Sequence, residues 1–275
     1  MKVIRAKHAG VCYGVERALD MAVAAMMDED NTYTLGPLIH NPKVVEELRE
    51  RGVEVAESVD DLEEGIVVIR SHGVEPQVLS ALREKGLTVI DATCPHVAKA
   101  QRSAGELRNA GGTVIVIGRS EHPEVKGLCG HAGPRAVVVA DASELPDTLE
   151  EPVGIVVQTT ESKEKLDAVV EAVRARGFEP EVKNTICFAT RQRQNSAAAL
   201  AEEVDAIVVI GGKNSSNTTH LFNICKAHCD RSFFVESAEE LDSSLFEGCE
   251  TVGVTAGAST PDDQIQAVVE YLETL

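Results

Sequence analysis

Short apolar runs alternate along this chain with longer stretches that carry apolar residues at helical spacing. Runs rich in Val and Ile predict strands at 2–6 (KVIRA), 32–36 (TYTLG), 65–71 (GIVVIRS), 87–91 (LTVID), 113–118 (TVIVIG) and 135–140 (RAVVVA). Five more follow at 153–158 (VGIVVQ), 179–184 (EPEVKN), 206–212 (AIVVIGG), 232–237 (SFFVES) and 251–257 (TVGVTAG). Amphipathic stretches lie between most of them: PKVVEELRERG, PQVLSALREKG, SKEKLDAVVEAVRARG and PDDQIQAVVEYLETL. The first three close on Gly, the usual helix stop. Strand and helix repeated in this way predict an α/β fold with largely parallel sheets. No Gly/Ser-rich or Pro-rich linker divides the chain, so any domains are tightly joined.

A coarse repeat runs through the same pattern. GVCYGVERALDMA, DATCPHVAKAQRSAGEL and NTICFATRQRQNSAAALAEE each lead from an extended segment into a helix, with Cys12, Cys94 and Cys187 on the turns. The cysteines are 82 and 93 residues apart, about the length of one small α/β unit. Three similar α/β domains, each offering one cysteine from the same place in its topology toward a shared centre, are compatible with this spacing, which does not by itself establish them. The expected bounds are 14–95, 96–187 and 188–275, with 1–13 as an N-terminal strand and the first Cys turn. Gly10 and Gly14, on either side of Cys12, are expected to let the backbone bend there.

Composition narrows the class. The 275 residues carry a net charge of -19, which argues against non-specific binding to nucleic acid or to an anionic membrane. No run is apolar enough to span a bilayer, and MKVIRAKHAG lacks a signal peptide's apolar stretch. A cytoplasmic protein, or the mature form of an organellar one, is expected. With no Trp, 3 Tyr and 6 Phe, the core must rest on Val, Ile, Leu and Ala. Seven cysteines, an odd number thinly spread, favour metal binding or catalysis over a disulfide framework.

Three thiolates from three units suit a soft metal centre. Zinc would want a fourth ligand, whereas an iron–sulfur cluster held by three cysteines leaves one iron with an open position. The plainer alternative for any one cysteine is a small buried hydrophobe. His40 in PLIHNP, His72 in RSHGV and His122 in EHPEV each follow a strand and precede a helix, where donors for an anion gather. GGKNSSNTTHL at 211–221 and TAGASTPD at 255–262 offer Ser215, Ser216, Asn217 and Ser259 at helix starts. They suit phosphate without Walker geometry or serve simply as helix caps. Glu124, two residues beyond His122, is placed to relay protons or to complement a helix dipole. Thr159 in QTTES completes a hydroxyl relay or caps a helix. Cys225, His228 and Cys229 in NICKAHCD imitate a metal cluster, but the segment reads as an ordinary helix.

Taken in order, GVCYGVERAL, DATCPHV, EHPEVKG, ICFATRQRQ, GGKNSSNT and TAGASTPD resemble the 4-hydroxy-3-methylbut-2-enyl diphosphate reductase family (IspH, LytB). The match runs from Cys12 to Asp262; Tyr13 and the ICFATRQRQ stretch are its minor departures. The resemblance implies three α/β domains with pseudo-threefold symmetry around a central 4Fe–4S cluster held by Cys12, Cys94 and Cys187. It implies reductive removal of the C4 hydroxyl of an allylic diphosphate, giving isopentenyl and dimethylallyl diphosphates, the last step of the methylerythritol phosphate route. His40, His72, His122, Ser215, Ser216, Asn217 and Ser259 would hold the diphosphate. Glu124 would supply the proton with Thr159 beside it, and a ferredoxin or flavodoxin would supply electrons. A non-catalytic phosphate binder and a zinc-stabilised α/β enzyme are the competing classes; the first has no use for three converging thiols, and the second predicts a colourless protein.

Overall fold

The computed structural model describes residues 1–28 and 31–275. Among them run twelve strands, β1 (Lys2–Arg5), β2 (Thr32–Leu35), β3 (Val53–Ala56), β4 (Ile66–Ile69), β5 (Thr88–Asp91), β6 (Val114–Ile117), β7 (Ala136–Val139), β8 (Gly154–Val157), β9 (Glu181–Lys183), β10 (Ala206–Ile210), β11 (Ser232–Val235) and β12 (Thr251–Ala256). The α-helices are α1 (Tyr13–Ala25), α2 (Pro42–Glu50), α3 (Pro76–Glu84), α4 (Pro95–Ala110), α5 (Pro123–Ala132), α6 (Lys163–Ala175), α7 (Phe188–Ala201), α8 (Ser216–His228) and α9 (Asp262–Glu273).

The strands form three four-stranded sheets, with orders β3-β2-β4-β5, β7-β6-β8-β9 and β11-β10-β12-β1, and all pairings are parallel. Each sheet therefore has one plan: second, first, third and fourth strand. In the last sheet the fourth place is filled by β1, which pairs with β12 from Lys2↔Thr251 to Arg5↔Val254. The chain splits into two compact units. One comprises Met1–Val15, His40–Lys43 and Phe188–Leu275 and holds the β1-containing sheet; the other, Glu16–Ile39 with Val44–Cys187, holds the other two sheets.

The sequence pattern follows each strand's place in its sheet. The inner strands β4 (IVVI), β6 (VIVI), β8 (GIVV) and β10 (AIVVI) are buried throughout, because helices cover both faces of a parallel sheet. The edge strands β1 and β5 carry exposed polar residues at both ends, and β9 at its first. One strand escaped the pattern. VEVA at β3 is an edge strand, with Glu54 in solvent and only Val53 and Ala56 buried, too few apolar positions to stand out.

Candidate functional site

The first strand of every sheet pairs with the second on one side and the third on the other, so the chain reverses winding direction there. Ligands of open α/β sheets bind at such switch points, beyond the carboxyl ends of the strands. The loops after the first strands carry His40, His122 and Ser215, and the helices they lead into open with Glu124 in α5 and with Ser216 and Asn217 in α8. The loops after the third strands carry His72, Thr159 and Ser259. The turns after the fourth strands carry Cys94, Cys187 and Cys12.

The cysteine turns are equivalent in detail. The Cys94 N–H donates to Ser71 O at 2.9 Å, the Cys187 N–H to Thr159 O at 2.9 Å and the Cys12 N–H to Ala258 O at 3.1 Å. Each acceptor lies two residues past the end of the third strand of its sheet. All three thiols are half-buried and free of disulfides. The Cys12 turn alone is longer. Ala6 N–H donates to Val254 O and Gly10 N–H to Ala256 O, so four residues on one strand span two on its neighbour, and the extra residues bulge out. Gly10 closes the bulge at φ 93, where a Cβ would lie 2.8 Å from Ile265 Cδ1. Gly14, expected to bend the turn as well, lies instead within α1. Arg193, which the sequence reading passed over inside ICFATRQRQ, fixes the turn. Buried on α7, it donates to Gly10 O from Nε at 3.2 Å and Nη2 at 2.6 Å.

Glu124 sits in the first turn of α5 with 1% of its surface exposed. Thr159 donates to both its oxygens, the backbone N–H to Oε1 at 2.6 Å and the hydroxyl to Oε2 at 2.9 Å. Burial pushes the carboxyl from 4.5 up to about 7, the Thr159 bonds pull it back and the nearby Glu161 carboxylate adds to the rise. Glu161 is itself buried, with Lys165 Nζ 3.0 Å from its Oε2. The acid therefore keeps its proton to a higher pH than an exposed carboxyl does, which suits a proton donor. His122 caps α5. Its Nδ1 accepts the Glu124 N–H at 3.1 Å, which makes Nε2 the protonated nitrogen of the neutral ring. The His72 ring meets the His122 ring edge-on, 5.4 Å between centroids at 82°.

In the other unit the Ser259 hydroxyl donates to His40 O at 3.0 Å, and Asn41 Nδ2 donates to Ser259 O at 2.9 Å and to Gln264 Oε1 at 3.1 Å. Asn41 was thus another residue with a positioning task, visible in sequence only as the neighbour of His40. Gly211 follows β10 at φ 148, and a Cβ on it would sit 2.7 Å from Thr218 Oγ1. Ser215 caps α8, its hydroxyl accepting from Thr218 N–H at 3.3 Å, so the capping role applies to this residue. Ser216 and Asn217 follow in the first turn, both buried. Neither polar atom of the Asn217 carboxamide has a hydrogen-bond partner among the described residues.

The NICKAHCD segment is a helix end. Cys225 is fully buried with Leu221 and Ile207 around it, and burial pushes its thiol up to about 12. Cys229 is buried in the same cluster, while His228 Nδ1 turns to Glu202 Oε1 at 3.0 Å.

A family model described as LytB protein matches residues 3–273. The chain belongs to the LytB family. Among LytB relatives, the 4-hydroxy-3-methylbut-2-enyl diphosphate reductase of Geobacter sulfurreducens is 47% identical over 276 residues, covering 99% of this chain and 97% of that protein. The enzyme of the same name from Trichlorobacter lovleyi is 45% identical over 274 residues, covering 99% and 98%. A solved (E)-4-hydroxy-3-methyl-but-2-enyl diphosphate reductase, the terminal enzyme of the non-mevalonate pathway, shares 41% identity and a TM-score of 0.72, with both chains covered completely. The Plasmodium falciparum reductase shares 25% identity and a TM-score of 0.93, covering 98% of this chain and 87% of that one. The LytB match spans all three sheets and all three cysteine turns. Among the described residues no helix is long and apolar enough to cross a membrane.

Proposed function

We propose that this chain reduces 4-hydroxy-3-methylbut-2-enyl diphosphate to isopentenyl and dimethylallyl diphosphates. The observation that carries the reading is the Glu124 carboxyl, buried, clasped at both oxygens by Thr159 and raised to about 7. A poised acid at a strand-end switch point is what expulsion of a hydroxyl from carbon needs, since hydroxide leaves poorly and water leaves well.

Cys12, Cys94 and Cys187 would hold the cofactor. Three half-buried, disulfide-free thiols on equivalent turns fit an iron–sulfur cluster that has three protein ligands. Such a group supplies a Lewis-acidic contact for oxygen and a route for single electrons. The chain's own part is binding and proton transfer. His40, His72, His122, Ser215, Ser216, Asn217 and Ser259 would take the diphosphate, the histidines from neutral or charged N–H groups and the α8 start from its dipole and polar side chains. Two bonds from Thr159 hold the Glu124 carboxyl in place, so its proton would be offered from a fixed position. The three domains of 14–95, 96–187 and 188–275 would contribute one cysteine turn each, with β1 and its turn joining the last.

The deciding experiment is an anaerobic assay of the reconstituted protein with the allylic diphosphate and a reduced viologen. Both isomeric products are expected, and a brown protein with about four iron atoms per chain. A colourless, zinc-loaded protein that stays inactive after iron–sulfide reconstitution would sink the reading.

A further inference from the structure

The proposed reaction consumes two electrons and two protons per hydroxyl released as water, and the chain must receive those electrons from outside. We infer that the bulged loop after β1 and the first turns of α7 form the docking surface of a small acidic one-electron carrier protein. The inference rests on the reductase reading and adds the place and charge of the partner.

Charge is the first support. The chain has 45 acidic residues against 26 Lys and Arg, yet Met1–Val15 contains Lys2, Arg5 and Lys7 with no acid. The fourteen residues of α7 contain Arg191 and Arg193 with no acid. These segments lie side by side: the His8 N–H donates to Ser196 Oγ at 3.2 Å and Arg193 bonds Gly10 O. Arg5 pairs with Asp262 at 2.6 Å, but Lys7 and Arg191 are exposed and make no ion pair among the described residues. On so acidic a protein, two exposed cations outside any ion pair among the described residues are an attractive landing place for an acidic partner, even with Glu203 lining the cleft beside them.

Shape and position are the second. The extra residues of the Cys12 turn push Lys7 and His8 out beside α7, and a shallow cleft of about 460 Å³ runs between them, lined also by Gln192 and Asn195. Phe188 is 59% exposed and Tyr13 67%, both large aromatics left in solvent. Arg191 stacks over the Phe188 ring, 5.9 Å from its centroid. Phe188 directly follows Cys187 and Tyr13 directly follows Cys12, so the exposed aromatics adjoin two proposed cluster ligands along the chain. Aromatic and Arg side chains are the groups that dominate small protein interfaces, and redox encounters are small and charge-steered.

Each encounter oxidises the carrier by one electron, and two encounters complete a turnover. The test compares two donors on the reconstituted protein: a flavodoxin of net negative charge, kept reduced, and reduced methyl viologen. For the natural sequence, flavodoxin-driven turnover should fall several-fold between about 50 and about 500 mM salt, as a steered encounter does. The double variant Lys7→Glu/Arg191→Glu should raise the KM for flavodoxin roughly tenfold or more, with Lys7→Gln/Arg191→Gln intermediate. Viologen-driven turnover should stay within about twofold in both. Unchanged flavodoxin kinetics in the charge-reversed variant would overturn the inference, and so would equal loss with both donors in both variants. Absence of viologen-driven turnover in the natural sequence would instead strike the reductase reading itself.

Discussion

Thr159 grips both oxygens of Glu124, its backbone N–H at 2.6 Å and its hydroxyl at 2.9 Å, although the two residues are 35 positions apart. They meet because β6 and β8 are neighbours, and the loops that leave them emerge side by side. The pair turns a helix-start glutamate into a buried acid of fixed orientation.

Glu124→Gln should keep the fold and lose the chemistry. The amide oxygen still accepts from the Thr159 N–H, and the amide nitrogen donates to a re-oriented Thr159 hydroxyl. Turnover with reduced viologen is expected to fall by roughly 10²-fold or more, the usual scale for a lost general acid. Near-normal turnover would remove Glu124 from that role.

The same carboxyl ties stability to pH. It is raised from 4.5 to about 7 in the folded protein, so the native state holds a proton that the unfolded chain has lost. That contribution is fully present below about 4.5 and disappears as pH rises through about 7. The Gln variant, which does not titrate, should therefore gain on the natural sequence between pH 5 and 8, on the order of 3 kcal/mol at most. Urea melts of the two apo proteins across that range would measure it; a constant difference would refute the buried acid.

Thr159→Val removes the hydroxyl bond and leaves the backbone bond. Because that hydroxyl lowers the Glu124 pKa, its loss should raise the value further and move the alkaline limb of the kcat–pH profile upward. A limb that stays put or moves down would show that the hydroxyl does not tune the acid.

Asn217→Ala should separate binding from stability. A buried carboxamide with no partner contributes little to the apo fold, so its removal is expected to change the apo melting temperature by only a few degrees. The KM for the diphosphate should rise about tenfold, the worth of one lost hydrogen bond to a charged group. Strong destabilisation with an unchanged KM would make the residue structural.

Cys94→Ser should lower iron content sharply after anaerobic reconstitution, while Cys249→Ser should not. The Cys94 turn is held through its backbone N–H on Ser71 O, which the substitution leaves in place, so a loss of iron reports the thiol and not the fold. Equal iron in both variants would take Cys94 out of the ligand set.

Runs such as IVVI and VIVI announced the inner strands because a strand covered on both faces has no polar positions to spare. The glycine-, proline- and cysteine-marked turns announced the loops at the strand ends, since backbone conformation and residue type are local properties. VEVA did not announce β3, because an edge strand needs few apolar residues and its partner is what makes it a strand. Nor did the residues before Cys12 reveal that they complete a sheet whose other strands begin at Ala206; the pairing of Lys2 with Thr251 joins opposite ends of the chain. The bonds from Thr159 to Glu124, from Arg193 to Gly10 and from Asn41 to Ser259 have the same origin. By itself the sequence determined the elements, the repeat and the chemical types at the strand ends. Only the tertiary structure decided which of those residues touch, because proximity between distant segments is set by strand order and burial, and with it the charge state of the one buried acid on which the proposed reaction turns.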